Sequence, residues 1–238
     1  MTVQFQGRKL RHEFKYYLNT HEYLSLSQKA AALLRMDSHS PGREGYGIRS
    51  LYFDGVHDHS LHDKNNGVFA REKYRIRIYN GSKDHISLER KSKYGDYVCK
   101  DAARLTHREY ESIMNGDAEI LSKREEALVQ QFRTALVHRA FRPVVIVDYI
   151  REAYVYDLGN VRITFDKMLS AGVNTVDLFD DAMVLREAIM GPLTIMEVKY
   201  DSFLPVHVRQ IIETEKHVRS SISKYVICRE ARYRHFKE

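Results

Sequence analysis

The amino-acid sequence predicts an α+β fold whose strands are mostly antiparallel. Runs of alternating apolar and polar residues, typical of strands, follow one another closely between residues 47 and 105 and again between 144 and 200. Apolar residues at helical spacing occupy separate stretches of the chain. No internal repeat, linker or change in composition divides the sequence. We therefore expect a single domain over residues 1–238, with seven or eight strands.

The first half of the chain contains most of the predicted strands. Residues 9–18 alternate in hydrophobicity and form the first of them. Asn19 begins a capping box, which predicts a helix over about 20–35, and a glycine-containing loop follows. Asn80-Gly81 is a favoured two-residue hairpin turn. The other strands of this half are expected at 47–54, 70–79, 85–93 and about 97–105.

The second half of the chain adds helices and three more strands. Thr106 and Glu109 form a second capping box, which predicts a helix to about residue 115. An amphipathic pattern with alternating charges predicts one long helix over 118–140. Strands are expected at 144–156, 161–166 and 193–200, an irregular region at 167–192, and final helices at about 205–218 and 222–234.

Composition and charge exclude several classes of protein. The longest stretches without a charged side chain have nine residues, which is too short for a helical membrane span. The N-terminus lacks the pattern of a secretory signal. Cys99 and Cys228 fit neither a disulfide framework nor a four-ligand zinc site. We expect a cytoplasmic protein with free thiols, and its net charge of +6 suggests an anionic partner.

Charged side chains share one face of several predicted strands. One explanation is a half-exposed antiparallel sheet with its charges in water. The other is a sheet that closes on itself and turns its charged face into a lumen, where crowded cations would need an anion. The alternation alone leaves both open. The paired residues are Arg75 and Arg77, Glu89 and Lys91, Arg162 and Asp166, and Glu197 and Lys199.

A series of short motifs resembles a known family. The motifs RHEFKYYL, SLYFD, KYRIRIYN, LERK, the lysine at position 100, REAY, VRITFD, MEVKY and SKY occur in this order between about Arg8 and Tyr233. The same order is found in the catalytic domains of the VTC (vacuolar transporter chaperone) family, which are polyphosphate polymerases of the CYTH, or triphosphate tunnel metalloenzyme, superfamily. The resemblance implies a closed antiparallel eight-stranded β-tunnel wrapped by helices.

The resemblance also implies a reaction and its residues. VTC domains transfer the γ-phosphoryl group of ATP to a growing polyphosphate chain and require a divalent metal, Mn²⁺ or Mg²⁺. Phosphoryl transfer needs aligned reactants and neutralised charge more than covalent catalysis, which suits a basic lumen. The residues carried over are Arg75, Arg77, Lys91 and Arg162 as catalytic, Lys15, Lys100, Arg151 and Lys224 as phosphate-binding, and Glu197 as metal-binding.

The sequence departs from the superfamily at its first motif. Many CYTH enzymes begin with ExExK, whereas this chain has Arg11, Glu13 and Lys15 at those positions. The missing acidic residue favours the VTC branch and disfavours a two-metal site. Glu13 could bind metal, but an ion pair with a lumen cation is the favoured interpretation. A triphosphatase and a non-catalytic polyphosphate binder are the alternative functions. The SPX domain and membrane helices of eukaryotic VTC proteins do not fit within this chain.

Two other features are weaker candidates. His57, His59 and His62 are more consistent with a polar turn or short helix than with a metal site. The basic tail is expected to be a solvated helical face and not a nucleic-acid site; it comprises Arg229, Arg232, Arg234 and Lys237 with Tyr233 and Phe236. No glycine-rich phosphate-binding motif is present, so side chains must hold any nucleotide.

Overall fold

A computed structural model describes residues 4–5, 7–212 and 217–233. Its main elements are eight long strands and six α-helices. The strands are β1 (Arg11–Leu18), β2 (Tyr46–Asp54), β3 (Ala70–Tyr79), β4 (Ile86–Tyr94), β5 (Tyr97–Leu105), β6 (Arg142–Tyr156), β7 (Val161–Gly172) and β8 (Thr194–Tyr200). The helices are α1 (Thr20–Leu33), α2 (His59–Asn65), α3 (His107–Met114), α4 (Ala127–His138), α5 (Val206–Ile211) and α6 (Lys224–Tyr233).

The eight strands close into an antiparallel ring. Their order is β1-β5-β4-β3-β2-β6-β7-β8, and β8 pairs with β1 to complete it. The β1–β5 seam is short and has two residue pairs, Arg11 with Val98 and His12 with Tyr97. Asn80 and Gly81 both have positive φ, as the tight turn between β3 and β4 requires. The predicted α+β fold with a closed eight-stranded β-tunnel is confirmed.

Helices pack on the outer surface of the ring and bury its apolar side. Phe132 of α4 stacks edge-on against Phe53 of β2, and both are almost fully buried. Leu26 of α1 and Val208 of α5 belong to a second apolar cluster, which covers Phe165 of β7. Because the outward side chains of the strands meet these helices, charged side chains such as Arg75 and Arg77 occupy inward positions.

Helix α6 has a different position from the other helices. Its residues Tyr225 and Cys228 share an apolar cluster with Val145 and Val147 of β6. These two valines pair with Tyr52 and Ser50 of β2, whose hydroxyl groups accept hydrogen bonds from inward-facing arginines. The valines therefore face the interior of the ring. It follows that α6 covers part of that interior, with its N-terminal residues beside the remaining space.

Three regions differ from the sequence prediction. Residues 118–140 form a 3₁₀ turn (Glu119–Leu121) and the separate helix α4, because the intervening backbone is extended at Glu126 and Arg124 holds that residue by an ion pair. Strand β7 continues past a bulge at Lys167 into the region expected to be irregular, where Leu185–Glu187 pairs with it. Helix α5 ends at Ile211.

Smaller elements complete the description. Gln4–Phe5 pairs with Arg8–Lys9, and Arg35–Met36 pairs with β6. His59 and His62 lie in the short helix α2, and the described residues contain no group of three or more His, Cys, Asp or Glu side chains that could hold a metal ion. Within the same residues, no helix has both the length and the apolar character needed to cross a membrane. Both cysteines are free and buried. The solvated face predicted for the basic tail is wrong for Arg229, which is buried and pairs with Asp58, while Arg232 donates to the Val144 carbonyl. Arg234 and Lys237 of the tail lie outside the described residues.

Asp54 connects β2, α2 and α6, and its removal should destabilise the fold. Its buried carboxylate accepts hydrogen bonds from the backbone N–H groups of Ser60 and Leu61 and from the hydroxyl of Tyr225. We expect Asp54→Ala to lower the free energy of unfolding by about 3 kcal/mol, because several buried donors lose their acceptor. Tyr225→Phe removes one of these bonds and should cost about 1 kcal/mol. Urea denaturation measures both, and equal effects would contradict the assignment.

Candidate functional site

A cavity of about 820 Å³ lies in the interior of the ring. Among the described residues, fifteen lysines and arginines but only four carboxylates border it. Because positive charge is in large excess, an anionic ligand would offset the desolvation and mutual repulsion of these cations. The cations are Arg11, Lys15, Lys64, Arg71, Lys73, Arg75, Arg77, Lys91, Lys93, Lys100, Arg151, Arg162, Lys199, Arg219 and Lys224, and the acids are Glu13, Asp96, Asp101 and Glu197.

All nine residues singled out in the sequence border this cavity. They come from seven different strands and from α6, so their convergence is produced by ring closure and not by proximity in the chain. The charged strand faces therefore look inward, and the explanation that placed them in bulk water is wrong. The residues are Lys15, Arg75, Arg77, Lys91, Lys100, Arg151, Arg162, Glu197 and Lys224. Their functional roles stay predictions.

Glu89 organises the basic side chains of β3. Its carboxylate accepts two hydrogen bonds from Arg75, at 2.8 and 2.6 Å, and one from Lys100 at 2.9 Å. Arg77 lies 3.7 Å from the same carboxylate and donates to the hydroxyl groups of Ser50 and Tyr149. These cations hold the pKa of Glu89 well below its usual range despite its burial. The two guanidinium groups are thereby fixed in position before any ligand binds.

Glu197 is surrounded by cations on the opposite side of the ring. Lys224 lies 2.5 Å and Lys199 2.9 Å from its oxygens, and Lys15 and Arg151 lie at 3.7 Å. The pKa of this carboxyl is held well below its ordinary value by these partners, in opposition to burial. Glu197 is therefore ionised across the physiological pH range, as a metal ligand or an ion-pair partner must be.

Asp166 supports the same group of cations from β7. It forms a bidentate pair with Arg151, at 2.6 and 2.7 Å, and an ion pair with Lys224. The nearby carboxylates raise the pKa of Lys224 well above its usual value, although burial opposes this. Lys224 and Arg151 therefore stay charged in the buried site and are available to phosphate oxygens.

Glu13 and Arg162 have partners of their own. The Glu13 carboxylate contacts the ammonium groups of Lys91 at 2.5 Å and Lys15 at 3.2 Å, so the favoured ion-pair interpretation agrees with its observed contacts. Arg162 lies 3.0 Å from Asp37, which comes from the loop after α1, and donates to the hydroxyl of Tyr46. Arg162 is thus positioned by residues outside the charged strand faces.

The carboxylates of the cavity fit a metal ion only if other ligands complete its coordination. Glu13 and Glu197 share two lysines, since Lys15 and Lys199 each lie within 4 Å of both carboxylates. Among the described residues there is no cluster of three metal-ligating side chains. A hard divalent ion can bind to one or two carboxylates when phosphate oxygens and water complete its coordination. The donor set therefore fits an ion that is bound together with a phosphate ligand.

Several lysines of the cavity have lowered pKa values in the protein without a ligand. Burial lowers the pKa of Lys91 to about 7, with Lys15 adding to the effect and Glu13 opposing it. Burial also lowers the pKa values of Lys73 and Lys199, and nearby cations contribute in both cases. A polyanion in the cavity would stabilise the charged form of each lysine, so its binding must be coupled to proton uptake.

The sequence interpretation missed part of the site. Lys73 precedes Arg75 by two residues on the same strand face, and this spacing was the signal that could have identified it. Lys199 was placed on the charged face of its strand without a role. The hydroxyl groups of Tyr52 and Tyr149 position the arginines of β3, and no motif distinguished them from ordinary strand tyrosines.

Comparisons with known proteins agree with this architecture. The family model of the VTC domain matches residues 10–233. A solved structure of a proposed adenylate cyclase from Bacillus halodurans is 11% identical, with a TM-score of 0.55 and coverage of 92% of this chain and 96% of that one. This similarity supports the fold alone.

Two further solved structures have lower TM-scores. A protein from Pyrococcus horikoshii is 14% identical, with a TM-score of 0.48 and coverage of 92% of this chain and 98% of that one. The Mimivirus capping enzyme triphosphatase is 7% identical, with a TM-score of 0.44 and coverage of 90% and 91%. No curated protein matches the sequence.

Binding of a phosphate polyanion should take up protons because the pKa of Lys91 is low in the free protein. At pH 8 this lysine is mostly neutral, and an adjacent polyanion should recharge it. We expect the wild type to take up roughly one proton more per tripolyphosphate than Lys91→Met. Affinity should fall as the pH rises from 7 to 9 in the wild type, and less steeply in the variant.

Isothermal titration calorimetry in buffers of different ionisation enthalpy measures this uptake. The comparison with Lys91→Met cancels protons exchanged by the ligand itself. Equal proton uptake by the two proteins would show that the lysine is already charged in the free cavity.

Proposed function

The chain belongs to the VTC domain family, and on this premise we propose that it is a metal-dependent polyphosphate polymerase. In this proposal it transfers the γ-phosphoryl group of ATP to a growing polyphosphate chain inside the ring. The observation that carries the proposal is the composition of the cavity wall, with fifteen cations and four carboxylates among the described residues. Such a wall suits two polyphosphate groups held at once, the donor and the acceptor.

The arginines of β3 would grip the phosphates. Arg75 and Arg77 are fixed by Glu89, Tyr52 and Ser50, so little side-chain freedom is lost when a ligand binds. Guanidinium groups donate pairs of parallel hydrogen bonds to phosphate oxygens, which orients the phosphoryl group as well as binding it. Alignment of donor and acceptor is the main contribution that a protein makes to this reaction.

The remaining cations would neutralise charge on the transferring group. Lys91 and Arg162 lie on different sides of the ring, on β4 and β7, and both border the cavity. Lys15, Lys100, Arg151 and Lys224 add charge around them. Since these groups are already positioned by carboxylates, they can stabilise the developing charge with little reorganisation. No protein nucleophile is needed.

Glu197, with Glu13 beside it, would hold the divalent ion. The ion, Mn²⁺ or Mg²⁺, would supply Lewis-acid stabilisation of negative charge on the phosphate ligand. Lys15 and Lys199 occupy the space between the two carboxylates in the free protein, so these ammonium groups would move to phosphate oxygens when the ligand binds. Glu197 and the lysines thus exchange partners and no buried charge is left uncompensated.

Arg11 favours the polymerase over a triphosphatase. It borders the cavity at the position where many tunnel enzymes have a carboxylate, and it pairs with Asp201 at 3.1 Å. A cation there reduces the capacity for a second metal ion and increases the capacity for a second phosphate chain. ATP and polyphosphate are the proposed partners, and the free thiols fit a cytoplasmic location.

The product formed from ATP tests the proposed reaction. Purified protein with ATP and Mn²⁺ should produce a ladder of polyphosphate chains on a gel, and a chelator should abolish it. The accumulation of free phosphate without a ladder would favour the triphosphatase instead. Tight polyphosphate binding with no consumption of ATP would favour a non-catalytic binder.

Two substitutions separate metal binding from phosphate binding. Glu197→Gln should keep its affinity for a triphosphate but slow turnover by roughly 10²–10³-fold, because it loses an electrostatic stabiliser of the transition state. Arg75→Ala should weaken ATP binding as well as turnover, because its contacts exist in the ground state too. Steady-state kinetics and direct binding measurements distinguish the two effects.

Arg108→Ala is the matched control, since Arg108 is exposed on the outer helix α3. It should change stability by no more than about 0.5 kcal/mol and leave both parameters unaffected. Normal turnover in Glu197→Gln at limiting metal would contradict the metal role.

A further inference from the structure

Four cations form a file along β3. Arg71, Lys73, Arg75 and Arg77 occupy every second position, so they share the inward face of the strand, and all four border the cavity. At a rise of about 3.4 Å per residue, the file extends over about 20 Å. A tripolyphosphate is shorter than this file and can contact only part of it.

The two ends of the file differ in whether a nearby carboxylate compensates their positive charge. Arg75 and Arg77 face the buried carboxylate of Glu89. Arg71 donates to the backbone carbonyl of Val68, and Lys73 donates to the hydroxyl of Ser223 at 3.1 Å. Within the described parts of the chain, no carboxylate lies within ion-pair distance of Arg71 or Lys73. The outer half of the file therefore lacks a close carboxylate like the one that Glu89 provides for the inner half, and Asp63 acts on Arg71 only at longer range.

Cross-strand pairing adds more positive charge at the same place. Arg71 is directly opposite Lys93 on β4, and Lys73 is directly opposite Lys91. Lys64 of α2 also borders the cavity, and burial together with repulsion from Arg71 lowers the pKa values of Lys64 and Lys93. Like charges directly opposite each other destabilise a sheet. A bound anion would remove this penalty.

We propose that Lys64, Arg71, Lys73 and Lys93, together called the outer basic segment, bind the part of a polyphosphate chain that extends beyond the phosphates held by Arg75 and Arg77. The inference rests on the proposed function, because it takes polyphosphate as the ligand. It adds that the protein selects long chains over short ones. The interior of an eight-stranded ring is narrow, which favours an unsubstituted phosphate chain over a nucleic acid bearing bases.

Affinity for ligands of two lengths tests this inference. The wild type should bind a long-chain polyphosphate more tightly than tripolyphosphate. In Arg71→Ala/Lys93→Ala, affinity for the long chain should fall roughly tenfold or more, because two charge-assisted contacts are lost. Affinity for tripolyphosphate should change by less than about twofold, because that ligand is held by the inner cations. Calorimetry at fixed ionic strength measures both.

The control removes the same charges from the outer surface. Lys123 and Arg108 are exposed, and Arg108→Ala/Lys123→Ala should leave both affinities unchanged. Equal losses for the two ligands in the Arg71/Lys93 variant, or no loss for the long chain, would overturn the inference. Displacement of long polyphosphate by an oligothymidylate as effectively as by polyphosphate itself would also overturn it. If the protein prefers the long chain but makes no polyphosphate from ATP, the role of the outer basic segment would be supported and the proposed function would be contradicted.

Discussion

The structure depends on the compensation of charge inside a closed ring. Cations removed from water lose hydration energy and repel one another, and each needs a nearby anion to remain ionised. Glu13, Glu89, Asp166 and Glu197 each contact at least two cations in the free protein, and Asp37, Asp96 and Asp201 each pair with one more. Because the cations are more numerous than these acids, the cavity is only partly neutralised. The remaining charge is what a phosphate ligand would satisfy.

This constraint explains the arrangement of the apolar residues as well. With the inward face given to charge, the ring must bury its outer face, and α1, α3, α4 and α5 cover it. Helix α6 covers the interior instead, where its apolar residues pack on Val145 and Val147 and its first residue, Lys224, joins the charge network. Helix α6 therefore contacts both an apolar cluster of the fold and the basic site.

Strand alternation was enough to predict most of the ring and the residues that share its inner face. It could not decide whether that face looked at water or into a lumen, since both arrangements have a period of two, and family resemblance was needed to favour the lumen. Asp37 as the partner of Arg162 could not be foreseen, because it comes from a loop that only the folded chain brings near. The break in the expected helix over 118–140 accompanies extended backbone at Glu126 and ion pairs of Arg124 with Glu109 and Glu126, which helical periodicity does not report.

A structure of the protein with bound tripolyphosphate would show whether the charged interior of the ring is the ligand site. Phosphate oxygens should lie inside the ring, with hydrogen bonds from Arg75, Arg77 and Arg151 and with Lys199 moved away from Glu197. Phosphate bound on the outer surface of the ring, with the carboxylate pairs of the cavity unchanged, would contradict this prediction.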